Sequence, residues 1–414
     1  MRARASYADR RGLWARLQQA VGWSPAAQKK HAGNRFYDGA GMQTYMHIPG
    51  KPVWMGRDYQ KFADEGYIRN VIAYRAVNLI TEGAASVPWV LFDREQGAPR
   101  RVEAHPVLRL LERPNPLEGG AELFQALYAY RLIAGNAYLQ AAGPQESAPL
   151  ELHCLRPDRV SVIAGKDGLP VGYRYTIGNQ YRDFPVDRIT GRARILHLKT
   201  FHPLNDWYGL SPIEAAAYSI DQHNQSGAWN QALLQNGARP SGALVVKGRD
   251  PSGAGGYLSD EQYTRIRQQV DEQFSGSSNA GRPLLLEGGL EWKEMSMTPR
   301  DMDFIEAKHS SARDIALAFG VPPQLLGIPG DNTYANLAEA RLALWEQTIL
   351  PLVDSVCDAL NNWLLPLYGK GLQLRYDTDG ISALSIRRER VWERVNNATF
   401  LTDEEKRQLV GLHV

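Results

Sequence analysis

Asp301-Met-Asp-Phe-Ile-Glu-Ala-Lys-His-Ser-Ser-Ala-Arg-Asp-Ile-Ala-Leu-Ala-Phe-Gly-Val-Pro-Pro-Gln-Leu-Leu-Gly327 contains a helix together with its stop. Thr298-Pro299-Arg300-Asp301 opens it with a cap, a proline and a first-turn carboxylate. Ile305, Ala312, Ile315, Ala316 and Phe319 recur on one side at helical spacing. Gly320 ends the run, and Pro322 and Pro323 keep it from resuming, because neither carries an amide hydrogen. Val321–Asn332 then reads as a loop. It leads into the longest helical stretch, about Thr333–Tyr368, with Pro351 inside it. A proline there removes one hydrogen bond and crowds the preceding turn, so a kink is expected.

Upstream, Ser211-Pro212-Ile213-Glu214 starts another helix, with Ser as cap, Pro first and Glu three after the cap. Nothing stops it before Asn236, which predicts about 25 residues and a length of roughly 37 Å. Its apolar stripe (Ile213, Ala217, Ile220, Gly227, Leu234) is thin and built of small residues. Such a helix gains little on one globular core and fits better among similar helices, including those of neighbouring copies. Residues 237–300 read as an insert. Ala243–Lys247 is an expected strand and Gly248–Gly256 a loop. Ser259-Asp260-Glu261-Gln262 caps a helix to about Phe274, and Leu284–Glu287 and Leu290–Glu294 pair as a hairpin across Gly288-Gly289.

Residues 67–205 read as one α+β domain. A helix begins near Tyr67 with Ile68, Val71, Ile72, Arg75, Asn78 and Leu79 on one face, and dies at Gly83 and Pro88. Helices Pro106–Glu112 and Ala121–Ala134 stop at Arg113-Pro-Asn-Pro116 and Gly135-Asn136. Expected strands are Trp89–Phe92, Ala137–Ala141, Glu151–Leu155, Val160–Ala164, Tyr173–Ile177 and Ile195–Lys199. Downstream come a strand, Leu372–Tyr376, and two helices, the second opened by the capping box Thr402-Asp403-Glu404-Glu405.

The chain has 414 residues, 43% hydrophobic and 22% charged, which excludes wholesale disorder. No apolar run reaches the ~20 residues of a membrane span, and no signal-peptide core opens the sequence. Cys154 and Cys357 are too few for a disulfide framework or a thiolate metal site, and read as reduced thiols. Net charge is +2, but residues 1–60 hold ten Lys/Arg against Asp9, Asp38 and Asp58, leaving −5 for the rest. We read residues 1–66 as a basic, largely mobile arm with one short helix around Leu13–Val21, suited to nucleic acid or an acidic surface.

Catalytic patterns are missing. There is no GxxxxGK[ST] phosphate loop and no GxSxG elbow. His197, His202 and Asp206 have no recognised zinc spacing, so His197 reads as a hydrogen-bonded strand histidine. Asp301, Asp303 and Glu306 cluster where the helix dipole alone favours carboxylates. Neither a catalytic residue, a metal site nor a cofactor is expected.

Several strings together carry a resemblance. They are His105-Pro-Val-Leu, Arg113-Pro-Asn-Pro116, Gly135-Asn-Ala-Tyr138, Gly209-Leu-Ser-Pro-Ile-Glu214, Asn236-Gly-Ala-Arg-Pro240 and Asn279-Ala-Gly-Arg-Pro-Leu-Leu-Leu-Glu-Gly-Gly289. The Asp301–Gly327 stretch, Tyr334-Ala-Asn-Leu-Ala-Glu339, the Pro351 helix and Leu401-Thr402 complete the set. Over about residues 65–412, and in this order, the sequence resembles the HK97-type portal proteins of tailed bacteriophages. That family implies an α+β portal fold and a ring, usually of twelve copies, at one capsid vertex. Double-stranded DNA passes through its channel during packaging and ejection. Implied partners are the major capsid protein, the terminase large subunit and a head–tail adaptor. The implied place is the virion, after assembly in the bacterial cytoplasm, with no membrane involved.

The resemblance maps residues 67–205 to a wing, 206–236 and 301–320 to stem helices, and 237–300 to a clip. Residues 321–332 map to a tunnel loop, 333–371 to the kinked wing helix, and 372–414 to a strand and short helices forming a reduced crown. It implies stem packing through Ile213, Ala217, Ile220, Gly227, Leu234, Ile305, Ala312 and Ile315. Terminase or adaptor would meet Tyr263, Arg267, Phe274 and Trp292 of the clip. Gln324, Gly327, Gly330, Asp331, Asn332, Thr333 and Tyr334 would face DNA. No Lys or Arg lies between Val321 and Arg341, so those contacts should be weak and steric, with Gly327, Pro329 and Gly330 letting the loop shift. Two other readings compete: a metal-dependent nuclease using Asp301, Asp303 and Glu306, and a DNA-binding accessory protein acting through the basic arm.

Overall fold

The computed structural model describes residues 24–25, 59–95, 99–144, 147–165, 169–235, 242–246, 261, 264, 290–294, 304–329, 334–403 and 405–406. The rest of the arm, the helix start at Thr298–Asp301, the strand Leu284–Glu287, most of the helix to Phe274 and residues 330–333 lie outside them. The chain divides into two compact units, Met1–Ala217 with Ala316–Val414, and Tyr218–Ile315. The principal helices are α1 (Val71–Ala85), α2 (Pro106–Glu112), α3 (Gly120–Ala134), α4 (Ala217–Gln235), α5 (Phe304–Ala318), α6 (Tyr334–Leu344), α7 (Leu350–Trp363) and α8 (Ser385–Asn397). The strands are β1 (Trp89–Asp93), β2 (Arg100–Val102), β3 (Asn136–Ala142), β4 (Glu151–Leu155), β5 (Val160–Ala164), β6 (Pro170–Ile177), β7 (Gln180–Pro185), β8 (Ile195–Lys199), β9 (Gly242–Val246), β10 (Leu290–Glu294) and β11 (Leu372–Tyr376).

In the first unit α1 lies against α3. Asn70 caps α1, its Oδ1 accepting from the amides of Ile72 (3.1 Å) and Ala73 (3.0 Å), a cap worth about 1 kcal/mol. The buried face is Ala73, Ala76, Val77, Ile80, Thr81 and Ala84. This corrects the expected face: Ile68 and Val71 are 69% and 66% exposed. A Cβ on Gly83 would sit 2.7 Å from Ile349 Cδ1, so α1 has no room for a larger residue at that point. The helix is also preceded by a π-helical turn, Phe62–Ile68, that the sequence did not announce.

Three antiparallel sheets surround these helices, in strand orders β11-β1-β2, β4-β3-β8 and β5-β6-β7. Tyr138, Leu155, Val160, Tyr173, Phe184 and Ile195 form one shared apolar cluster. Strand β7 was missed, because Gln-Tyr-Arg-Asp-Phe-Pro is too polar to alternate. Its pairing is reinforced by Arg174, which grips Asp183 through two 2.7 Å bonds and covers the Tyr181 ring at 4.3 Å. Ser24–Pro25 pairs with the outer edge of β7. The Pro-Asn-Pro stop proves to be a weld as well. Asn115 donates to Leu152 O (3.0 Å) and accepts from the amides of Leu117 and Glu118. Asn361 of α7 does the same for β11, bonding both the amide (2.8 Å) and the carbonyl (2.9 Å) of Leu374.

Pro351 is accommodated without a broken helix. A π-helical turn, Trp345–Ile349, precedes it, with Leu350 N–H reaching back to Trp345 O. The wider turn moves the crowding carbonyl of the preceding turn aside. The expected 25-residue helix is interrupted at Ala216, between Pro212–Ala215 and α4. Ser211 caps it as expected, accepting from Ile213 N–H at 3.0 Å. In the second unit, β10 pairs antiparallel with β9, Trp292 opposite Leu244. Expected as half of a local hairpin, it joins a strand more than forty residues earlier.

The chain enters Pro212 from a backbone contact of two glycines. A Cβ on Gly135, whose φ is +69°, would lie 2.4 Å from Gly209 O, and one on Gly209 would lie 2.1 Å from Gly135 O. Gly135→Ala combines a left-handed backbone with a steric clash, and should cost about 3 kcal/mol, lowering the thermal midpoint by roughly 6–12 °C. Gly119→Ala, where φ is −85° and nothing lies within 4 Å, should leave it unchanged. Scanning calorimetry of both variants checks this.

Candidate functional site

The histidines and cysteines singled out in the sequence take part in the packing and hydrogen bonding of the fold. His197, on β8, stacks on Tyr138 with centroids 4.4 Å apart, and its Nε2 is 3.0 Å from Asn136 Oδ1. Burial, with Lys199 nearby, pushes its pKa down to about 3, so the ring is neutral and its Nε2–H donates. Asn136 Oδ1 also accepts from Gly209 N–H (2.8 Å). His202 is separate and half-buried, its Nδ1 accepting from Leu204 N–H at 3.0 Å. Cys154 is pushed up by burial and Cys357 up to about 11, which leaves both as protonated thiols. Among the described residues no three His, Cys, Asp or Glu side chains gather around a possible metal site. Of the acidic trio, Asp301 and Asp303 lie outside the described residues, and Glu306 pairs with Arg313 at 3.7 Å.

The expected DNA-facing loop is anchored at both described ends. Val321 and Ile328 are buried. Val321 N–H donates to Ala316 O (2.9 Å), and Thr348 Oγ1, from the π-turn, donates to Gly320 O (2.6 Å). Pro323–Leu326 forms a single 3-10 turn ended by Gly327, left-handed at φ +72° with open space where a Cβ would be. Gln324 departs from expectation: it is half-buried, and its Oε1 is shut off from solvent with no partner among the described residues. Gly327 is exposed as expected, while Gly330, Asp331, Asn332, Thr333 and the side chain of Tyr334 lie outside the described residues.

The helical positions sort differently. Ile213, Ile220, Ala312 and Ile315 are buried, Ala217 and Gly227 are half-buried, and the Leu234 side chain lies outside the described residues. Ile305 is 73% exposed. The buried face of α4 was missed because it is polar. Asp221, His223 and Ser226 are each under 10% exposed, and Ser226 Oγ–H donates to Gln222 O at 2.8 Å. Ser219 Oγ–H reaches Asp314 of α5 at 3.3 Å. His223 is pushed down by burial and then by Lys308, so this seam is neutral at the histidine. Of the expected insert residues, Tyr263, Arg267 and Phe274 lie outside the described residues, and Trp292 is on β10.

The sequence model of the family described as phage portal protein matches residues 72–411. The chain belongs to that family. A relative from Rickettsia felis (strain ATCC VR-1525 / URRWXCal2) is 50% identical over 352 residues, 85% of this chain and 89% of its own length. The portal protein of Enterobacteria phage HK97 is 26% identical over 327 residues, 77% of this chain and 72% of its own. A solved chain from the neck of an empty gene transfer agent particle has a TM-score of 0.68 and 48% identity, covering 88% of this chain and 96% of its own. Another, from the neck of the native particle computed with C12 symmetry, has a TM-score of 0.66 and 46% identity over the same shares. This is a portal protein of a phage or gene transfer agent particle.

The neutral His197 carries a pH signature. The unfolded ring binds its proton near 6.5, whereas the folded ring resists until about 3. The stability it contributes is therefore complete above 6.5 and is lost as pH falls through that window. The gap in unfolding free energy between wild type and His197→Gln should shrink by up to about 1.4 kcal/mol per unit as pH drops from about 6 to 4. Urea denaturation at stepped pH measures it, and parallel profiles would contradict it.

Proposed function

We propose that this chain assembles into a twelve-membered ring at one vertex of a gene transfer agent-like or phage-like capsid. DNA passes through its central channel during packaging and ejection. The observation that supports this best is its likeness, at 48% identity over 88% of its length, to a chain of a gene transfer agent neck. In this reading residues 67–205 and 333–371 are the wing, 206–236 and 301–320 the stem, 237–300 the clip, and 372–414 a reduced crown. The clip, through Tyr263, Arg267, Phe274 and Trp292, meets the terminase large subunit and then a head–tail adaptor, while the wing meets the major capsid protein.

The loop at 321–332 lines the channel. Without Lys or Arg between Val321 and Arg341 it touches DNA sterically, and weak contact is what sliding requires, since phosphate neutralisation would hold the duplex. Gly327 is the described pivot, its left-handed backbone open to either side. Ile305, exposed in the single chain, is free to pack on a neighbour's stem.

Native mass spectrometry with negative-stain imaging tests the ring. Twelve copies of 46.2 kDa give about 554 kDa with a central hole, and a compact dimer without a hole would overturn the reading. Deleting residues 1–60 should leave the ring intact, because the family match begins at residue 72. Gly330→Pro should shorten the packaged DNA while rings form normally; unchanged packaging would remove the loop from the mechanism.

A further inference from the structure

Several large apolar residues exposed by the first unit stand singly in the sequence, as Leu117, Leu150 and Ile189 do, and such exposures need no explanation. Grouped exposures are different, and two of them stand on firmly held backbone. Ile68, Val71 and Tyr74 follow one another at helical spacing along the π-turn and α1, 69%, 66% and 49% exposed. The ridge is fixed from behind: the Tyr67 ring lies 5.2 Å from that of Tyr74, and its hydroxyl donates to Asn78 Oδ1 at 3.0 Å. Arg69, Arg75 and Glu82 are exposed around it, giving an apolar centre with a charged rim. The second place is the turn after β8, where Phe201 and Leu204 are 85% and 92% exposed.

That turn is built to hold its shape. Lys199 Nζ donates to Asp206 O (2.5 Å), Leu204 N–H donates to His202 Nδ1, and Asn205 Oδ1 accepts from Trp207 (2.9 Å) and Tyr208 (3.1 Å). At its base Thr200 N–H donates to Gly135 O at 3.0 Å. Two large apolar side chains on a backbone already fixed lose little freedom when covered, which is the property of an interface anchor. The centre of each patch is apolar, whereas DNA is held through phosphate by charge. A closed ring, by contrast, requires each copy to present two different faces, one to each neighbour.

We propose that the Ile68–Val71–Tyr74 ridge and the Phe201–Leu204 turn are the surfaces through which this unit packs on neighbouring copies of the same chain. The inference rests on the ring reading above. Purified wild type, Val71→Glu/Tyr74→Glu, Phe201→Glu/Leu204→Glu and the control Ile189→Glu would be compared by native mass spectrometry, with circular dichroism to establish folding. Each double variant should lower the ratio of ring to monomer at least tenfold with an unchanged monomer melting curve, while the control assembles as wild type. Hydrogen exchange on wild type gives a second readout independent of any variant: amides around 68–75 and 201–206 should gain protection only in the ring. Rings from both double variants at wild-type yield, or no gain of protection, would overturn the proposal. Failure of wild type itself to form rings would instead overturn the reading on which it rests.

Discussion

The close contact of Gly135 and Gly209 is the constraint on which the first unit depends. Neither backbone has room for a Cβ against the other. Around this point Asn136 accepts from Gly209 N–H and from His197, Thr200 Oγ1–H donates to Leu210 O (2.5 Å), and Ser211 Oγ–H reaches the Leu132 and Ile133 carbonyls at the end of α3. The end of α3, the start of β3, the end of β8 and the cap at Pro212 are thereby fixed to one another. A hydrogen-bonded histidine and a capping serine, each unremarkable alone, become parts of a single junction.

How far this was legible in the sequence depends on how local each cause is. Helix α2 and strands β4, β5, β8 and β11 fall where their composition and flanking breakers put them. The capping box at Thr402 closes as its spacing implies, Thr402 N–H on Glu405 Oε2 at 2.8 Å and Glu405 N–H on Thr402 Oγ1 at 3.3 Å. The errors are tertiary. Periodicity on α1 finds two apolar stripes and cannot say which one is buried, since that depends on what packs beside the helix. Strand β7 is held by a cross-strand arginine and an aromatic, a cause invisible in alternation. The pairing of β9 with β10 spans an insert, whereas a glycine pair suggests a local turn.

The loop was more legible than the helix faces. Its limits are written in Gly320, Pro322, Pro323 and Gly327, residues that act through backbone geometry and so need no knowledge of neighbours. Side-chain roles within it were not: Gln324 is polar and was expected to face outward, yet its Oε1 is enclosed. Polar residues on α4 mislead in the opposite sense, because Asp221, His223 and Ser226 are on the buried side. Composition reports the solubility of a residue, and burial in an assembly protein is decided by what packs beside it.

The proline in the long helix and the glycine at the end of α5 are one device. Pro351 has no amide hydrogen, and a regular helix would set its ring against the carbonyl four residues earlier. The π-turn at Trp345–Ile349 relieves that contact and rotates the residues it contains. Thr348 is among them, and its hydroxyl lies on Gly320 O at 2.6 Å, while a Cβ at Gly320 would come within 2.8 Å of that same hydroxyl oxygen. The helix irregularity forced by one proline thus sets the residue from which the loop departs. Any rearrangement of the loop beginning at Gly320 must break this bond or carry the π-turn with it. The loop is thus held where it leaves α5, by Thr348 on Gly320 and by Val321 N–H on Ala316 O.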